Sequence, residues 1–195
     1  MTTSLIPGFD IHGVVPPVRP GQDGHSADRA PYSSDALTFC QSFGFTRERR
    51  VILHGWLELR AVLVGAGLSQ GFQWINGSFC EQVEILRGRP PRDVDVVTFA
   101  RLGDQRVLQQ AIPDAMHPLR SKRRFHVDHY PVATDVPFTM SYGCEIAYWS
   151  SLWSHRRGDN RWKGFVAVPL ASNDEDASAW LEQADGATDP GGETP

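Results

Sequence analysis

The feature that most constrains this chain is a pair of short strand-like segments separated by a loop that cannot be regular structure. Gly71-Phe72-Gln73-Trp74-Ile75 is rich in aromatic and β-branched residues, reads as a strand, and runs into Asn76-Gly77-Ser78. Asp93–Phe99 reads as a second strand, with Val94, Val96 and Val97 β-branched. Between them, Phe79–Leu86 is expected as a short helix. The stretch Arg87-Gly88-Arg89-Pro90-Pro91-Arg92 is broken by a glycine and two prolines.

Side chains alternate across a strand, so Asp93 and Asp95 are expected on one face. Two carboxylates on one face repel each other unless something positive lies between them. A magnesium ion (or Mn²⁺) meets that need: it is a hard cation, held by one or two carboxylates together with substrate phosphates. Gly77 lets the backbone approach a phosphate tail closely. Ser78 and the N–H groups that open the following helix would hold phosphate oxygens.

The surrounding elements predict an α/β fold, a small mixed sheet flanked by helices. Thr46 is a good helix N-cap. Apolar residues recur at helical spacing at Ile52, Trp56, Leu59 and Leu63, and Gly65 and Gly67 stand where a C-cap belongs. Asp104–Ile112 and Ile146–His155 read as further helices, Phe125–Val132 and Lys163–Leu170 as further strands. A short edge strand is expected at Gly13–Val15, ended by Pro16-Pro17. The chain divides into an irregular lead-in over residues 1–35, the sheet-and-helix domain over 36–170, and an acidic tail over 171–195. The tail is expected to hold a short helix around Ala177–Gln183 and then to be disordered from Asp185.

Length and composition fit one globular domain: 195 residues, 41% hydrophobic and 22% charged. Net charge is −4, but seven of the 23 acidic residues lie beyond Ala171, where there is no Lys or Arg. The body is therefore mildly basic, which suits a phosphate-bearing ligand and is too weak for a DNA-coating protein. Cys40, Cys80 and Cys144 form no CxxC pair, so neither a zinc knuckle nor a disulfide framework is indicated. The N-terminus has no basic region followed by an apolar run, and no apolar stretch is long enough for a membrane helix. A cytoplasmic protein with no membrane association is the expectation.

The order strand, Gly77-Ser78, spacer, Asp93-Val94-Asp95-Val96-Val97 resembles the signature of the polymerase-beta-like nucleotidyltransferase superfamily. That signature adds a third carboxylate on a later strand, and Phe125-His126-Val127-Asp128-His129-Tyr130 supplies Asp128. The core resemblance covers Gln73–Tyr130. A weaker one, through Tyr148-Trp149, Arg156-Arg157 and Lys163-Gly164-Phe165-Val166, extends to Leu170. The spacer is longer than in compact members and carries Arg87, Arg89 and Arg92. The resemblance implies two metal ions bridging Asp93, Asp95 and Asp128 and an NTP. Asp128 would draw the proton from an acceptor hydroxyl, Ser78 would hold phosphates, and Lys163 or Arg157 would contact the triphosphate. The acceptor would be a protein, an RNA or a small molecule. Small stand-alone members resemble toxin–antitoxin or phage-defence components, which implies a partner protein encoded alongside.

Two other readings follow from the same residues. One is a catalytically inactive nucleotidyltransferase fold that binds nucleotide or a partner. The other is a metal-dependent nuclease, against which the Gly77-Ser78 turn argues, since a nuclease needs no triphosphate cradle. His126 and Asp128 share a strand face while His129 faces away, so a zinc site is not expected. The run Lys122-Arg123-Arg124 reads as a solvated turn, or as a surface facing a polyanionic acceptor. Tyr148, Trp149, Trp153 and Trp162 read as core, with Trp162, beside a charged turn, the best placed for base stacking.

Overall fold

A computed structural model describes residues 6–187 of the chain. In chain order the elements are β1 (Tyr32–Ser33), α1 (Ala36–Phe43), α2 (Arg47–Gly65), β2 (Gly71–Asn76), a 3-10 turn (Ser78–Cys80) and α3 (Val83–Arg87). They continue with β3 (Val94–Ala100), α4 (Gln105–Ala111), α5 (Pro118–Phe125), β4 (Val127–Ala133), α6 (Met140–Trp153), β5 (Val166–Pro169) and α7 (Asp174–Gly186). The five strands form one mixed sheet in the order β1-β5-β2-β3-β4. The β1/β5 and β3/β4 pairs are parallel, and β2 is antiparallel to both its neighbours. The fold is α/β, as expected.

Strand alternation divides the core in two. Ile75, Val94, Val96, Val127, Val166 and Val168 face the larger cluster, which α1, α2, α5 and α7 supply. Val97, Phe99, Val132 and Phe165 face the other way and are covered by Trp153, with Trp149 and Ile146 packed alongside, all from α6. The α2 helix behaves as its pattern predicts. Thr46 Oγ1 accepts from Arg49 N at 3.3 Å, and Ile52, Trp56, Leu59 and Leu63 are all buried. Helix α5 presses so closely on α2 that a Cβ at Gly55 would lie 2.0 Å from the Phe125 carbonyl oxygen. Only glycine permits that approach, and the approach fixes where the end of α5 lies.

Several elements differ from expectation for local reasons. Arg120–Arg124 is not a turn leading into a strand at Phe125. Pro118 opens a helix whose Leu, Arg and Lys residues favour helix, and His126 ends it in the left-handed region at φ 56°. The segment expected as one helix over Phe79–Leu86 splits into the 3-10 turn and α3. Helix α6 begins at Met140 because Thr139 caps it, accepting from Tyr142 N at 3.3 Å. The expected edge strand at Gly13–Val15 is reduced to a single bridge between Val14 and Glu81.

Helix α7 is longer than the short helix expected there. Three acidic residues in its first turn complement the helix dipole. Arg60 grips Asp174 at 2.7 and 2.8 Å, and Arg50 pairs with Asp185 at 2.5 Å. The final stretch expected to be disordered lies, beyond Ala187, outside the described residues. No helix among the described residues is long and apolar enough to cross a membrane.

Candidate active site

The antiparallel β2/β3 pair and the parallel β3/β4 pair bring the end of β2 beside the starts of β3 and β4. Register then sets Asn76 opposite Asp95, and Asp95 opposite Asp128, across three adjacent strands. Their neighbours Ile75, Val94, Val96 and Val127 are committed to the larger core, so the three polar side chains emerge on the α6 side. Asp93 immediately precedes β3, two residues before Asp95 and close enough for its charge to raise the pKa of Asp95. The three predicted carboxylates therefore belong to one group at one end of the sheet.

Their electrostatics are uneven. Lys122, near the end of α5, sets its Nζ 2.5 Å from Asp93 Oδ2 and 3.8 Å from Asp128 Oδ2. The hydrogen bond to Asp93 raises the Lys122 pKa. The Asp95 side chain has no hydrogen bond or ion pair among the described residues. Burial, then the charges of Asp93 and Asp128, push its pKa up to about 6. As positioned, no three His, Cys, Asp or Glu side chains among the described residues form a ready metal cage. An ammonium stands between two of the acids.

Gly77 follows β2 at φ 80°, a conformation that L side chains rarely adopt, and a Cβ there would lie 2.5 Å from Asp95 Oδ2. Turn and carboxylate are thus in immediate contact. Ser78 opens the 3-10 turn and is half-buried. The turn is fixed from beneath. Arg49, fully buried on α2, donates to the carbonyls of Phe79 and Glu81 at 2.7 Å each and to the Glu84 carboxylate at 2.6 and 3.0 Å. Carbonyls that a short helix leaves unpaired are satisfied in this way.

Lys163 is held against the glycine turn. It is 3% exposed and donates to Glu81 Oε1 at 2.7 Å and to the Gly77 carbonyl at 3.1 Å. Its ammonium thus ties the glycine turn to a buried acid. Arg157 is exposed in the segment after α6, and it has no hydrogen bond or ion pair with the acidic group among the described residues. His126 is an exposed helix cap, and His129 is buried on the opposite face from Asp128. No shared metal site joins these two histidines. Trp149 and Trp153 pack as core, with Trp149 4.9 Å from Tyr130, whereas Tyr148 and Trp162 are 58% and 51% exposed.

Three residues of this region are not legible as site residues in the sequence. Lys122 sits in a basic run whose helical geometry is set by Pro118. Glu81 is a buried acid, 3% exposed, whose partner lies 82 residues away. Asn76 is 1% exposed; its Nδ2 donates to the Trp153 carbonyl at 2.7 Å, and its Oδ1 has no donor. A carbonyl only accepts, so the amide orientation is fixed and the orphan oxygen lies beside the Asp95 register position. The one available clue is proximity: Asn76 adjoins Gly77, and Lys122 lies six residues before Asp128.

No curated protein and no solved structure matches the chain. One family model matches residues 7–169, which take in every strand and the whole acidic group. The chain therefore belongs to DUF6932, a family of unknown function.

Proposed function

We propose that the chain is a metal-dependent nucleotidyltransferase that moves a nucleoside monophosphate from an NTP to an acceptor hydroxyl and releases pyrophosphate. The observation that carries this reading is the grouping of Asp93, Asp95 and Asp128 against the Gly77-Ser78 turn, with Asp95 lacking a positive partner. The donor chemistry fits Mg²⁺ or Mn²⁺: the oxygens are hard and the acids sit on adjacent strands. Burial first, and then the charges of Asp93 and Asp128, push the Asp95 pKa up to about 6, and a divalent cation would offset both. When bound, the cation supplies Lewis-acid stabilisation of the phosphates and lowers the pKa of the attacking hydroxyl.

Asp93 and Asp95 would hold the cation. Asp128 would take the proton from the acceptor hydroxyl as its oxygen bonds to the α-phosphorus and the bond to the leaving pyrophosphate breaks. Ser78 and the N–H groups of the 3-10 turn would hold the outer phosphates, on a turn that Arg49 and Lys163 keep rigid. Arg157, exposed after α6, would contact the triphosphate. A cytoplasmic setting, an acceptor that is a protein, an RNA or a small molecule, and a co-encoded partner protein belong to this reading.

A second reading, an inactive nucleotidyltransferase fold that binds nucleotide or a partner, is favoured by one observation: Lys122 already neutralises Asp93 and approaches Asp128. The experiment that separates the two offers α-labelled NTPs with Mg²⁺ or Mn²⁺ to the wild type and to Asp95→Ala, with protein and RNA acceptors. Label transferred by the wild type alone supports transfer. NTP binding with no label moved in any arm supports the binding module.

A further inference from the structure

Lys122 and the acidic group present an arrangement that the proposed chemistry does not use. The ammonium lies 2.5 Å from Asp93 Oδ2 and 3.8 Å from Asp128 Oδ2, so one positive charge stands where two of the three carboxylates meet. The acids are largely covered, their side chains 16% and 23% exposed, while Lys122 is 45% exposed. The partner that can leave for solvent is therefore the lysine. Its helix is anchored by the close approach at Gly55, so departure requires only rotation of a flexible four-carbon stem.

We infer that Lys122 is a built-in counter-cation that holds the carboxylate group closed in the absence of a divalent ion and must be displaced for that ion to bind. The inference rests on the reading above and specifies how the same site is regulated. The ammonium and the divalent ion compete for the same oxygens, so anything that draws Lys122 away raises cation affinity, and by reciprocity a bound cation frees Lys122. A polyphosphate is suited to that role. It brings acceptor oxygens for the displaced ammonium at the moment it brings oxygens for the metal, so nucleotide and cation bind with positive cooperativity. With no nucleotide the site remains neutralised by its own lysine.

The test is Mn²⁺ binding to the full chain, followed by electron paramagnetic resonance without nucleotide, beside thermal unfolding with and without Mg²⁺. Lys122→Met is expected to bind Mn²⁺ about tenfold tighter than the wild type, or more. It should melt lower than the wild type without cation and gain more on adding Mg²⁺. Lys122→Arg, which keeps the charge, should stay near the wild type. In a Lys122→Met/Asp95→Asn double variant the gain should vanish, which ties it to this site. If the wild type binds Mn²⁺ and Lys122→Met binds it equally or more weakly, the counter-cation account is wrong while the metal reading stands. If neither binds Mn²⁺, both fall.

Discussion

Gly77 and Asp95 are in such close contact that a Cβ on the glycine would lie 2.5 Å from a carboxylate oxygen of the aspartate. The phosphate-facing turn and the central acid are thus a single geometric unit, and neither can move without the other. Gly77→Ala would force both a disfavoured backbone conformation and a shift of the carboxylate. The expected cost is about 1–3 kcal/mol of stability. Transfer activity should fall by roughly 10²-fold, since a displacement of that size is enough to misalign reacting groups. Chemical denaturation and a turnover assay read the two effects separately.

Asp95 makes stability depend on pH in a direction opposite to most carboxylates. Its pKa stands near 3.8 in the unfolded chain and about 6 in the folded one. The folded state therefore holds this proton more tightly, and the contribution to stability is lost as pH rises from 3.8 through 6. Above that window the charged group penalises the metal-free fold by on the order of 2–3 kcal/mol. Asp95→Asn should accordingly be more stable than the wild type at pH 8, with the difference closing below pH 4. Added Mg²⁺ should raise the melting temperature of the wild type and leave that of Asp95→Asn unchanged.

On the opposite face of the sheet a buried polar relay sets the orientation of β4. Trp56 Nε1 and Arg60 donate to Gln73 Oε1 at 2.9 and 3.0 Å, and Gln73 Nε2 donates to Thr98 Oγ1 at 3.0 Å. His129 Nδ1 must donate to the Ala115 carbonyl at 2.7 Å, so its Nε2 accepts from the Thr98 hydroxyl, also at 2.7 Å. Burial pushes the His129 pKa down to about 4 from 6.5. Stability from this group is present above pH 6.5 and is lost as pH falls toward 4. In an Asp95→Asn background, where the opposing titration is absent, stability should rise steadily from pH 4 to 6.5. Thr98→Val leaves His129 and Gln73 each short of a partner and should cost about 2 kcal/mol or more by urea denaturation.

The legible parts of this chain were those governed by local pattern. Strands β2 and β3 follow from alternating β-branched and aromatic residues, and their register makes neighbours of Asp95 and Asn76. Helix α2 follows from Thr46 and its apolar spacing. The same alternation puts Asp93 and Asp95 on one face, whereas Asp128 enters through the resemblance and its place beside Asp95 is set by the β3/β4 register. What local pattern does not encode is which cation answers which acid. Lys163 and Lys122 look alike in sequence, yet one is buried beneath the glycine turn and the other is half-exposed among the acids. Those positions depend on where α5 and β5 dock, and α5 docks through the Gly55 contact with a residue 70 positions later. The length of α7 was likewise set at long range, by Arg60 and Arg50.

The central claim is that Asp93, Asp95 and Asp128 act as one unit on a nucleoside triphosphate. Pyrophosphate release from NTP with Mg²⁺ tests it most directly, measured for the wild type, for Asp93→Asn, Asp95→Asn and Asp128→Asn singly, and for the Asp95→Asn/Asp128→Asn pair. Groups that work together are grossly non-additive, so each single variant should lose roughly 10³-fold and the pair should lose little more. Release of pyrophosphate that survives Asp95→Asn at the wild-type rate would contradict the account.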